Sequence, residues 1–361
     1  MRKLVPIAGL ALALSATAAL AAPALPKGTI VVGPTYRIDP ALTDLGTPKG
    51  KTFTFMLPMA RSRIFRGDVI AAPDPNAPPR PPPPPGAPPP PPPFDPAQWQ
   101  RQITVYIPAT YRDGDAAPVT IVHDGPGPGA INILSNWFEW TSRAVDNLSG
   151  GKDPARSLPA FITIGVQAGP QRQRSYEYDT LSDRQARFIQ EEVMPAVLAN
   201  PEIRAAYPRL RFTDDPEGRA AIGCSSGASS ALIMGWFHPE WFRRIVGYSG
   251  TFTTNQGNYA ERAQYPQGAW EFHTGMKLIG SAPKKPLRVF NHAAENDNGA
   301  AFSEDNGRNW VSANIRTAEA LQKKGYDQRF LYSLASTHCQ EPVISHTLAD
   351  TLVWVWEGYP R

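Results

Sequence analysis

Cysteine is nearly absent: the 361-residue chain has two, Cys224 and Cys339. Two thiols cannot staple a disulfide-dense small scaffold, and no cysteine or histidine spacing fits a zinc site, so no metal or organic cofactor is implied. Long apolar runs are missing as well. Beyond the N-terminus no stretch approaches the ~20 apolar residues that a membrane span needs. Blocks of like charge are also lacking. The 36 basic and 32 acidic residues are interspersed, without the electrostatic footprint of a nucleic-acid binder, so no nucleic-acid partner is expected.

What is present begins with a hydrophobic content of 42%, enough for a substantial core. Arg2 and Lys3 precede an apolar stretch from Leu4 to Thr17, followed by the small-x-small site Ala19-Leu20-Ala21. That order is a secretory signal peptide, so residues 1–21 are expected to be removed and the chain exported to the periplasm or beyond the cell. No Arg-Arg pair suggests a twin-arginine route, and no cysteine near the cleavage site suggests a lipid anchor. Without Arg2 and Lys3 the formal charge of +4 falls to about +2. In an oxidising compartment the two cysteines can form one intramolecular bridge.

Proline is in excess, 40 residues in all, and concentrated in "APDPNAPPRPPPPPGAPPPPPPFDP", Ala72 to Pro96. Proline fixes φ and removes the amide donor, so this stretch joins neither a helix nor a central strand; as polyproline II it would extend roughly 75 Å at ~3.1 Å per residue. It reads as a spacer or exposed insertion, residues 72–96. Residues 22–71, with the strand-like "KTFTFMLPM", are too few for a separate core and are expected to add edge strands to a catalytic domain over 97–361.

After the insertion the chain alternates. "RQITVYIP", "PVTIVHDG", "PAFITIGVQAG", "RAAIG", "RRIVGYSG", "PLRVFNHA" and "QRFLYSL" read as strands. Between them "INILSNWFEWTSRAVDNL", "SDRQARFIQEEVMPAVLA", "SGASSALIMGWF", "GRNWVSANIRTAEALQKK" and "PVISHTLADTLVWVW" read as helices. In the second, Ser182 and Gln185 have capping-box spacing, and Phe188, Ile189, Val193 and Val197 share one side. The fold class is α/β, a mostly parallel sheet covered on both faces.

Gly223-Cys224-Ser225-Ser226-Gly227 places Gly-x-Ser-x-Gly between a strand and a helix. A sharp strand-to-helix turn pushes the serine outward, and glycines flank it because side chains there would collide with the neighbouring elements. A bare turn of small residues is the bland alternative. A serine hydroxyl attacks only if a base takes its proton, and the base needs an acid to orient it; in α/β-hydrolases the order is serine, acid, histidine, each after a later strand. Of six histidines, His123, His238, His273 and His292 come too early for that order. His346 belongs to the apolar-periodic final helix. His338, in the loop after "QRFLYSL", remains as base. The loop after "PLRVFNHA" offers Glu295 and Asp297. Asp297 is preferred as the shorter acid in a Gly/Asn-rich turn, with Glu295 as the alternative acid.

Cys224 precedes the serine by one residue and Cys339 follows the histidine by one. If Ser225 and His338 meet, the cysteines approach within disulfide range; two buried free thiols are the alternative. For the oxyanion, one donor is expected to be the Ser226 N–H at a helix start. The other falls in "HDGPGPGA", Gly125 or else Gly127, since the prolines there carry no N–H.

The stretches "DPEGRAAIGCSSGASSALIMGWFHPEWFRRIVGYSGTF", "RSYEYDTLSDRQARFIQEEVMPAV", "PQGAWEFH" and "NWVSANIRTAEALQKKGYDQRFLYSLASTHCQ" resemble the esterase family of enterochelin esterase-like α/β-hydrolases, which includes esterase D and bacterial feruloyl esterase modules. The resemblance covers nearly everything after the leader except the proline insertion. It implies an α/β-hydrolase fold and a carboxylic ester hydrolase, with Ser225, Asp297 and His338 matching the family's serine, acid and histidine. Ala228 departs from the pattern, standing where many members have a second glycine, and Cys224 is unusual there. The cysteine pair is similar to the Cys-Ser, Asp, His-Cys arrangement of tannases and fungal feruloyl esterases, which implies an aryl-ester preference. The expected partner is a small-molecule or polymer-linked ester. An acyltransferase on the same acyl-enzyme, or a non-catalytic envelope binding protein, are the alternatives. Trp137, Trp140 and Trp270 are candidates to line an aryl site, against core packing.

Overall fold

Near-continuous apolar runs supply the middle of a nine-stranded sheet. The computed structural model describes residues 24–65, 98–127, 132–151, 153–170, 173–254 and 266–360; the leader at 1–21 and the proline stretch at 72–96 lie outside the described residues. Strands are β1 (Ile30–Val32), β2 (Lys51–Pro58), β3 (Gln100–Ile107), β4 (Ala116–Ala117), β5 (Val119–His123), β6 (Ile162–Val166), β7 (Arg211–Phe212), β8 (Arg219–Cys224), β9 (Arg244–Tyr248), β10 (Arg288–Asn296) and β11 (Asp327–Thr337). The main sheet runs β1-β11-β10-β9-β8-β5-β6-β3-β2, while β4 and β7 form a separate parallel pair. In the main sheet β3 alone runs against the rest, antiparallel to β2 and β6. Both edges come from the N-terminal segment: β1 pairs with β11 and β2 with β3.

Burial explains the sequence patterns. Every residue of β5, β6, β8 and β9 is buried, as expected of strands covered on both faces, whereas β2 alternates exposed and half-buried positions at the sheet edge. Helices are α1 (Asn132–Leu148), α2 (Gln173–Tyr178), α3 (Arg184–Phe188), α4 (Met194–Ala199), α5 (Pro201–Ala206), α6 (Ser226–Phe237), α7 (Leu278–Ser281), α8 (Trp310–Lys323) and α9 (Glu341–Val355). On one face Ile121, Ala221, Ile245 and Val289 pack with α6 and α8; on the other, Val122, Ile222, Val246 and Phe290 pack with α1 and α9. α6 is buried from Ser226 to Trp236, which is why its sequence is apolar or small all round.

The amphipathic run 182–199 departs from a plain helix. α3 passes into α4 through a π turn, Ile189–Val193. The capping box does not form: Asp183 stands at the N-cap without a side-chain cap bond, and Ser182 Oγ instead accepts from Arg184 Nε (3.4 Å). The buried face is as the periodicity requires, with Phe188, Ile189, Val193 and Val197 all inaccessible.

Four neighbouring parallel strands, β8 to β11, end on one side of the sheet. Ser225, Ser249, Asp297 and His338 are the first residues beyond those ends. The C-terminal edge of a parallel sheet is where such folds place their ligands.

Candidate active site

Ser225 is where the backbone turns from β8 into α6. Its φ of 58° and ψ of −128° lie outside the ordinary regions for an L-residue, and its N–H donates to Tyr248 O (3.0 Å) on the adjacent strand. The flanking glycines are sterically required. A Cβ at Gly223 would strike the Gly227 backbone, and one at Gly227 would come within 3.0 Å of His123 Cβ and Asp124 Oδ2. Ala228 is tolerated because the facing residue on β9 is Gly247, where an added Cβ would stand 3.1 Å from Ala228 Cβ.

His338 follows β11, and its Nδ1 lies 2.5 Å from Asp297 Oδ1. The imidazole is partly exposed and the carboxylate is fully buried, with side-chain exposures of 21% and 0%. Burial pushes the Asp297 carboxyl up, but the His338 hydrogen bond and charge, a Ser249 hydrogen bond and the Asn298 N–H outweigh it and hold it below its ordinary range. Glu295 lies elsewhere: it is exposed, and its Oε2 accepts from Ala335 N (2.6 Å), bracing the end of β11.

Cys224 and Cys339 form a disulfide, with Cα atoms 6.0 Å apart across 115 residues. It ties the residue before Ser225 to the residue after His338. The Ser225 hydroxyl does not meet the imidazole in this state; its hydrogen bond is with Thr251 Oγ1 (3.2 Å). Catalytic hydrogen bonds in unliganded sites are commonly long and tighten when substrate binds.

The other histidines are structural. His123 and His292 are fully buried, and burial holds both imidazoles down to about 4; their rings bond Ile222 O and Ser230 Oγ, and Ser333 Oγ, respectively. His273 is likewise held to about 4 by burial and meets Phe252 O (2.7 Å). His238 does contact carboxylates, Glu240 and Asp183, but it caps the far end of α6, roughly 20 Å along the helix from Ser225 at about 1.5 Å per residue. His346 Nδ1 faces the Arg37 backbone on the outer side of α9.

The Gly125 N–H, expected as the second oxyanion donor, is not free for that role. The Gly125 N–H is spent on Val166 O (2.9 Å), and a Cβ at Gly125 would stand 2.5 Å from the Gly165 carbonyl carbon, so Gly125 is there for close strand approach and not as an oxyanion donor. Gly127 is the remaining glycine of that turn in the described residues. Ser226 occupies the first position of α6, where amides point out of the helix end. Its side chain is anchored below: Ser226 Oγ donates to Asp179 Oδ2 (3.0 Å) and Ser229 Oγ to Asp179 Oδ1 (3.3 Å). Burial raises the Asp179 carboxyl to about 7, against the pull of Arg174 and these hydroxyls. Arg174 itself holds Asp124 through two hydrogen bonds, 2.5 and 2.8 Å.

Ser249, Thr251 and Trp310, which carry no motif in the sequence, lie against the serine, the bridge and the imidazole. Cys339 N donates to Ser249 Oγ (3.3 Å), and Trp310 stands edge-on to His338 with ring centroids 6.0 Å apart. Trp310 Nε1 donates to Thr251 Oγ1 (3.2 Å), and its backbone N–H to Asn298 O (3.0 Å). Their one signal was position, small polar residues after the apolar run of β9 and an aromatic opening a helix. Trp137 and Trp140 are buried in the α1 core, and Trp270 is half-buried. A cavity of about 540 Å³ between α1, β2 and β3 contains none of Ser225, Asp297 or His338. Among the described residues no group of three or more His, Cys, Asp or Glu is placed to hold a metal, and no helix is long and apolar enough to cross a membrane.

Parallel strands crossed over by helices, with a strained serine turn after β8 and an acid and histidine after β10 and β11, define an α/β-hydrolase. The family described as "Putative esterase" matches residues 96–342, more than half of the chain, and the chain belongs to that family. It is a carboxylic ester hydrolase. Among solved structures, a ferulic acid esterase aligns with a TM-score of 0.54 at 15% identity, covering 85% of this chain and 97% of its own. An S-formylglutathione hydrolase from Agrobacterium tumefaciens aligns with a TM-score of 0.50 at 15% identity, covering 85% and 95%. The enterobactin esterase of Shigella flexneri aligns with a TM-score of 0.47 at 18% identity over 72% of this chain, which spans 56% of that protein. No curated protein matches the chain.

Proposed function

We propose that this chain is an exported serine esterase. Ser225 attacks the ester carbonyl, His338 takes the serine proton and returns it to the leaving alcohol, and Asp297 orients the imidazole. Water then hydrolyses the acyl-enzyme by the same route. The Ser226 amide, with the Gly127 amide in place of Gly125, would hold the oxyanion. The observation that carries this reading is the joining of the Ser225 elbow to the Asp297–His338 couple through the Cys224–Cys339 bridge. The bridge also favours export, since thiols persist as disulfides chiefly in oxidising compartments. The substrate we propose is a small-molecule or polymer-linked ester, with aryl esters first among those to try. The expected result is covalent labelling by a fluorophosphonate that disappears in Ser225→Ala. Labelling that survives in Ser225→Ala would remove Ser225 as the nucleophile, and no labelling of the wild-type protein would leave a binding protein as the better account. Product analysis with a competing alcohol separates hydrolysis from acyl transfer.

A further inference from the structure

We propose that Thr251 is a further catalytic residue, its hydroxyl donating to Ser225 Oγ and itself oriented by the Trp310 indole; this rests on the serine reading above. Thr251 is fully buried just beyond β9, and its N–H donates to Ser225 O (3.0 Å), so its backbone is registered on the serine. Its Oγ1 is 3.2 Å from Ser225 Oγ and 3.2 Å from Trp310 Nε1. An indole N–H can only donate. It therefore fills one of the two lone pairs of Thr251 Oγ1, and in the polarity we propose the threonine proton points at Ser225 Oγ. With that polarity the serine does not spend its own proton on Thr251 and keeps it for the imidazole.

The chemistry makes the bond unequal in the two half-reactions. In acylation the Ser225 Oγ lone pair forms the bond to the carbonyl carbon, the serine proton passes to His338, and the carbonyl π pair moves to the oxyanion. Oγ gives up electron density as it attacks. In deacylation water adds to the acyl carbon with its proton taken by His338, and the second tetrahedral intermediate collapses. The C–Oγ bond breaks, its electron pair stays on Oγ, and the proton returns from His338. Oγ gains negative charge in that step, so the hydrogen bond from Thr251 strengthens as the transition state forms. Trp310, acting through Thr251, is a positioning residue.

Stopped-flow hydrolysis of p-nitrophenyl acetate separates the acylation burst from the steady-state deacylation rate. Thr251→Val is expected to slow deacylation about tenfold while changing acylation less than about threefold, consistent with the loss of one hydrogen bond to a charging oxygen. Thr251→Ser should retain both rates. Trp310→Phe, which keeps a ring beside His338 but loses the N–H, should slow deacylation several-fold, and the double variant should be no slower than Thr251→Val, since the two act as one unit. Deacylation within twofold of wild type in Thr251→Val, or both steps slowed equally, overturns the proposal. If Thr251→Val does not fold, an unchanged deacylation rate in Trp310→Phe overturns it instead. Ser225→Ala distinguishes the two failures. Turnover that persists in Ser225→Ala sinks the serine reading and this proposal together, whereas a dead Ser225→Ala beside a fully active Thr251→Val sinks this proposal alone.

Discussion

Asp297 and Asp179 are both buried carboxylates, and their titrations are shifted in opposite directions. Asp297 is held low, so its contribution to stability is present above the ordinary carboxylate value near 3.8 and is lost as pH falls through its lower folded value. Acid denaturation of Asp297→Asn should accordingly show a shallower loss of stability below about pH 4 than the wild type. The same substitution should cut kcat/KM by about 10³ to 10⁴-fold, because an amide cannot fix the imidazole in the tautomer that accepts from serine. Glu295→Ala, which removes an exposed brace on Ala335, should leave kcat/KM within about twofold. Asp179 has the reverse sign. Raised to about 7, it keeps its proton in the folded state while the unfolded chain loses it near 3.8, so its contribution is full below that value and is lost as pH rises toward 7. Its surroundings are Ser226 and Ser229 on α6 and Arg174 on α2, which is itself paired with Asp124. Thermal melts at pH 5 and pH 8 should differ less in Asp179→Asn than in the wild type; an equal difference in both proteins would remove Asp179 from the account.

At the level of elements, the bridge between β8–α6 and the turn after β11 is the testable feature. It closes a loop of 115 residues, for which the chain-entropy model gives roughly 4 to 5 kcal/mol. Cys224→Ala with Cys339→Ala should lower the unfolding free energy by an amount of that order in denaturant titration. It should also reduce kcat by loosening the base against the elbow; unchanged kcat would show that Ser249 and Trp310 hold the turn unaided. The elements themselves were largely legible. Apolar runs such as "PVTIVHDG" and "RRIVGYSG" are strands because residues covered on both faces must be apolar, and "SGASSALIMGWF" matches α6 because a helix buried all round has no polar side to show. The π turn in the 182–199 run was not legible, since a hydrophobic stripe tolerates one inserted residue without losing its face. β1 was invisible for another reason: three residues, Ile30–Val32, carry no periodicity of their own, and pairing with β11 alone makes them a strand.

For the whole molecule, the proline stretch enters between β2 and β3, which pair antiparallel from Lys51–Ile107 to Pro58–Gln100. An insertion between two paired neighbours costs closure entropy that grows only slowly with length. Deleting residues 72–96 should therefore leave the melting temperature and kcat with a small ester close to wild type, and any loss confined to polymeric substrates would assign the segment a spacing role. The α/β alternation, the elbow at Ser225, and an acidic turn and His338 after later strands were legible in the chain alone, from burial period and from glycines where no Cβ fits. Which turn amide is already spent, which carboxylate faces the imidazole, and that Thr251 and Trp310 close on the serine were decided by the fold. Those facts depend on how neighbouring strands align their ends, and residues from β9, β10 and α8 become neighbours only when the sheet is assembled.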